Sequence, residues 1–125
     1  VTLDPTALLP RPVRLALYAA ACAVLLYVCL APSEGLPQER IWDKAEHAMG
    51  WAVLTGLGLF LSPRRPRAIA GFAFGLGVAV EVLQAALPFG RDGDVRDLLA
   101  DSIGIGLALL VWATVTRLGR RIDAR

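Results

Sequence analysis

The chain has 125 residues, 56% hydrophobic and 19% charged, with a formal net charge of +2. That balance excludes an ordinary water-soluble domain, in which charged residues make up ~25% and apolar residues are not gathered into long runs. It also excludes nucleic acid as a partner, because the basic residues sit in thin loops and a tail beside apolar segments, where their natural contact is anionic lipid.

Four apolar runs follow in chain order, each near the ~20 residues that cross a ~30 Å hydrocarbon core. The first, 13–31, is bracketed by Pro10, Pro12 and Pro32, which resist helix interiors. Arg11 and Arg14 precede it as they would a signal peptide. The run is too long for a signal h-region and three more follow, so it reads as a retained helix. Cys22 and Cys29 lie within it and read as small apolar side chains, not as a disulfide or metal pair. The second run, 42–61, ends at Ser62-Pro63-Arg64-Arg65-Pro66-Arg67, a basic turn that neither continues a helix nor enters hydrocarbon. The third, 68–87, is closed by Pro88 and Gly90, and the fourth covers 97–116. The predicted fold is all-α: a single domain over 1–125 forming a polytopic four-transmembrane-helix bundle.

Orientation follows from the basic residues. Arg11, Arg14, Arg64, Arg65, Arg67, Arg117, Arg120, Arg121 and Arg125 share one side, against Arg40, Lys44, Arg91 and Arg96 on the other. The positive-inside rule makes the first side cytoplasmic, giving N-in/C-in topology in a bacterial inner (cytoplasmic) membrane. Nine of the eleven acids fall on the opposite, outer side. Acids hardly influence insertion, so their placement calls for another cause. Trp42, Trp51 and Trp112 read as an interfacial aromatic belt. Gly71 and Gly75 form a GxxxG, read first as a contact between helices of the same bundle and second as a homo-oligomer face.

The acids and their neighbours form polar stripes. Asp43 and His47 are i and i+4 on the second span, flanked by Lys44 and Glu46. Glu81 and Gln84 share a face of the third, and Asp97 and Asp101 a face of the fourth, with Gly104 one turn further. At 1.5 Å rise per residue, His47 lies ~6 Å below Asp43, Asp101 ~6 Å below Asp97, and Glu81 ~9 Å below the end of its helix. These groups therefore share one layer. An intramembrane charge costs ~2.5 kcal/mol or more, so the stripes should face one another inside the bundle. Arg91 and Arg96, in the loop above, offer planar donors suited to phosphate or carboxylate.

Three pieces of this pattern, Asp43-Lys44-x-x-His47, Glu81-x-x-Gln84, and Arg91 followed by Asp97 and then Gly104, resemble the VanZ-like family of small bacterial membrane proteins. The resemblance covers about 43–106. It departs from the family pattern at Asp101, where Asn is common, and near Asp94, where a small hydroxyl residue is common. It implies an association with teicoplanin (glycopeptide) resistance and the cell envelope, without an established chemical activity.

Two classes of function stay open on these residues. In the first, the outer polar site binds an anionic headgroup of a membrane lipid or lipid-linked envelope precursor through Lys44, Arg91 and Arg96, over a floor of Glu81, His47 and Asp101, with Gln84 and Asp97 alongside. In the second, His47 is the nucleophile or general base of an enzyme acting on a lipid-linked phosphate or ester, oriented by Asp43 or Glu81 and assisted by Arg91. A metal held by His47, Glu81 and Asp101 is a lesser variant, and no cofactor is expected. A structural or partner-binding bundle is the plainest alternative; it predicts that changes in the polar layer harm assembly.

Overall fold

A computed structural model describes residues 4–30, 40–87 and 94–125, with backbone alone at 40–43. The described residues form five helices: α1 (Pro5–Leu8), α2 (Arg11–Leu30), α3 (Arg40–Leu61), α4 (Pro66–Ala86) and α5 (Val95–Asp123). The four long helices coincide with the four predicted runs, and their differences from those runs have local causes. Both α2 and α4 begin earlier than expected because Pro12 and Pro66 lie in their first turns, where proline's missing N–H would be unpaired anyway. α5 continues well beyond 116, since arginine is a good helix former and Arg120 and Arg121 in its last turn complement the helix dipole. α1 was not expected. It forms because Asp4 caps it, accepting from the Thr6 backbone N–H at 2.9 Å and the Thr6 hydroxyl at 2.6 Å.

α2, α4 and α5 are each long and apolar enough to cross a membrane. α3 has 22 residues but carries Lys44, Glu46 and His47 near its start, and it does not join them. It is the central helix, with its most extensive packing against α5. Large apolar side chains such as Val24, Phe60, Phe72 and Val111 are exposed around the bundle, which suits hydrocarbon as solvent.

The core corrects two readings. Trp51 is not an interfacial belt residue: it is fully buried, and its Nε1 donates to the Ala73 carbonyl at 2.9 Å. An indole can sit in a core when its N–H finds an acceptor. Gly71 and Gly75 do not mediate contact among the described helices, since an added Cβ at either would meet none of the described residues within 4 Å. Their face of α4 points outward. The close approaches occur instead at Gly50, Gly58, Gly77 and Gly104. Cys22 and Cys29 are both buried, in keeping with their reading as small apolar side chains.

Candidate functional site

The start of α3, the last turns of α4 and the start of α5 meet at one end of the bundle. Helical spacing on α3 turns Lys44, His47 and Trp51 toward α5, while Glu46 is exposed. Asp94 caps α5 by accepting from the Arg96 backbone N–H at 2.8 Å, which places Asp97 and Asp101 on the α3-facing side of the first two turns.

These side chains form a continuous chain of polar contacts. Glu81 Oε2 accepts from the Asp94 backbone N–H at 2.7 Å, tying α4 to the cap of α5. The Lys44 ammonium pairs with Asp94 Oδ2 at 2.9 Å and with Asp97 Oδ1. Asp97 Oδ2 lies 3.8 Å from His47 Nε2. On the ring's other side, His47 Nδ1 and Asp101 Oδ1 are 2.9 Å apart. The imidazole is further held by Trp51, stacked nearly parallel at 6° with ring centroids 5.7 Å apart. Asp101 is fully buried and His47 nearly so.

Among the described residues this network holds four carboxylates, Glu81, Asp94, Asp97 and Asp101, against Lys44 and a histidine. Two carboxylate oxygens, Glu81 Oε1 and Asp101 Oδ2, are buried without a hydrogen-bond partner among the described residues. His47, Glu81 and Asp101 each offer one ligand atom, all within 4.8 Å of one another, so these three could hold a metal ion. A metal on Nδ1 would displace the His47–Asp101 hydrogen bond, which is the arrangement present.

The structure thus brings together His47, Glu81, Lys44, Asp97 and Asp101 from the sequence-derived set. Arg96 is exposed at the rim. Gln84 is buried one turn away and donates to the Cys29 carbonyl at 2.9 Å, fastening α4 to the last turn of α2. Arg91 lies outside the described residues, as does the side chain of Asp43. Two participants were missed. Trp51 was legible in principle as i+4 from His47, but tryptophan near a span end reads first as a belt residue. Asp94 was hidden in a turn that reads as solvated.

At the rim, Asp94 lends itself to a pH test. The Lys44 ammonium, and then the Arg96 backbone N–H, hold its carboxyl below the ordinary 3.8. A lowered folded value means the contribution is present above 3.8 and lost as pH falls through that lowered value. Thermal unfolding of the detergent-purified chain from about pH 5 to about pH 2 should show this acid limb, and Asp94→Asn should flatten it. A limb of equal size in the variant would refute the role.

The family model described as VanZ/LLP1 matches residues 23–116, which is 94 of the 125 residues and includes every polar side chain of the layer. No curated protein and no solved structure matches the chain.

Proposed function

The chain belongs to the VanZ/LLP1 family, and from that membership we propose that it is a multi-pass protein of the bacterial cytoplasmic membrane whose polar layer, at the outer face, engages the anionic headgroup of an envelope lipid or related amphiphile. Through that contact it would contribute to teicoplanin tolerance or envelope lipid handling. The observation that carries the reading is the chain from half-buried Lys44 to the buried Asp97, His47 and Asp101. Ionisable groups inside apolar helices cost ~2.5–3.5 kcal/mol each on insertion scales, and a polar ligand is a reason to keep them.

Lys44 is matched to Asp94 and Asp97, so its part in this reading is to hold the acids in place. The headgroup falls to Arg91 and Arg96. A charge-assisted hydrogen bond contributes ~1.5–3 kcal/mol, which corresponds to a loss of about tenfold or more in affinity when one is removed. Arg91→Ala with Arg96→Ala removes two such bonds and should therefore reduce copurification of envelope lipid by about a hundredfold or more. Unchanged recovery of lipid with the double variant would reject the headgroup reading.

The His47–Asp101 hydrogen bond favours a second reading. In the tautomer that donates Nδ1–H to the buried Asp101 carboxylate, Nε2, which faces Asp97 at 3.8 Å, is the nitrogen that would act as general base or nucleophile on a lipid-linked phosphate or ester. Among the described side chains Asp101 faces Nδ1 and would orient the ring, where Asp43 or Glu81 was expected to do so. Folded protein that turns over no phosphorylated or esterified lipid would remove this reading.

A further inference from the structure

About 20 Å along α3 from the polar layer, the start of α2, the end of α3 and the start of α4 enclose a cavity of about 430 Å³. Arg11, Arg14, Arg65 and Ser62 line its mouth, and no Asp or Glu is among the described lining residues. Arg14 is fixed in place: one terminal guanidinium nitrogen donates to the Leu61 carbonyl at 2.8 Å, satisfying a carbonyl of the last turn of α3. Its Nε is nevertheless buried with no hydrogen-bond partner among the described residues, and so is the hydroxyl of Tyr18, which lines the same cavity. The nearby carboxylate of Asp4 is engaged by Thr6 and lies outside the lining.

We propose that this cavity binds the phosphate headgroup of an anionic membrane lipid. Guanidiniums brought together from two segments repel one another, and a phosphate relieves that repulsion while accepting the orphaned donors. The deeper walls are apolar. Tyr18 packs against Phe72 with ring centroids 5.7 Å apart, and Leu15 and Ile69 complete that side. Leu15 and Phe72 are 58% and 52% exposed, so the cavity opens sideways onto the surface that faces hydrocarbon. A soluble anion would use only the polar mouth, whereas a lipid uses both, with its acyl chain leaving past Leu15 and Phe72. The cavity lies at the basic end of the bundle, the side that the positive-inside rule assigns to the cytoplasm, whose leaflet carries anionic lipid.

The test is titration of the detergent-purified full chain with phosphatidylglycerol, phosphatidylcholine and inorganic phosphate, read by native mass spectrometry and thermal shift. Phosphatidylglycerol should be retained as one tight adduct and raise the melting temperature. Phosphatidylcholine should bind about tenfold more weakly or worse, and phosphate should give no shift. The double variant Arg11→Gln with Arg65→Gln spares the Arg14–Leu61 bond and should weaken phosphatidylglycerol by about tenfold. Tyr18→Phe should weaken it less. Wild-type affinity in the double variant would overturn the site. Equal stabilisation by phosphate or phosphatidylcholine would overturn the assignment to an anionic lipid.

Discussion

Gly104→Ala is expected to destabilise the purified protein more than alanine at any other described glycine. A Cβ built there lies 2.1 Å from the Ala48 carbonyl oxygen, 2.9 Å from the Ala52 nitrogen and 3.0 Å from the Ala48 carbonyl carbon. All three are backbone atoms of α3, so no side-chain rotation relieves the clash. The helices must separate instead, at the most extensive helix pair in the bundle. Overpacking a core commonly costs ~1–3 kcal/mol, and a clash with rigid backbone belongs at or above the top of that range. The same separation would draw Asp101, one turn away, off His47, so lipid binding should fall together with stability. Gly106→Ala is the control: nothing lies within 4 Å of its added Cβ, and better helix propensity should leave it neutral or stabilised by ~0.5–1 kcal/mol. Matching melting temperatures for the two variants would contradict the close approach of α3 and α5.

The second large effect concerns Asp101 and separates the two functional readings. Asp101→Ala removes the carboxylate facing His47 Nδ1 in a fully buried place, leaving the imidazole without that partner at a cost of ~1–3 kcal/mol. Both thermal stability and envelope-lipid copurification should drop. Asp101→Asn keeps an oxygen acceptor for Nδ1–H while removing the negative charge. If the residue serves to position the ring for binding, Asn should retain both properties near wild type. If the negative charge itself supports a proton transfer by His47, Asn should abolish lipid turnover almost as fully as Ala while leaving the fold intact.

Much of the site was legible before any coordinates. The shared layer of His47, Glu81 and Asp101 followed from helical rise and the cost of charge in hydrocarbon, and the structure places their ligand atoms within 4.8 Å. Less legible was the distribution of charge within the layer. Lys44 reads alone as a headgroup cation, yet Asp94 and Asp97 surround it, because the cap of α5 swings both acids toward α3. Gln84 shares a face with Glu81 by spacing, but it sits one turn further along and meets α2.

The amino-acid pattern alone determined the positions of the long helices, the charged turn between the second and third, and the depth of each polar residue along its axis. Apolar run length, proline and the rise per residue are local properties that a membrane makes strict. Which helix face meets which neighbour was decided only in three dimensions. GxxxG at Gly71 and Gly75 looks like the tighter packing signal, but the backbones close at Gly104, and that contact sets the rotation that brings Asp101 to His47. Spacing reports which residues share a face. It carries no information on which face the closest backbone approach will bury.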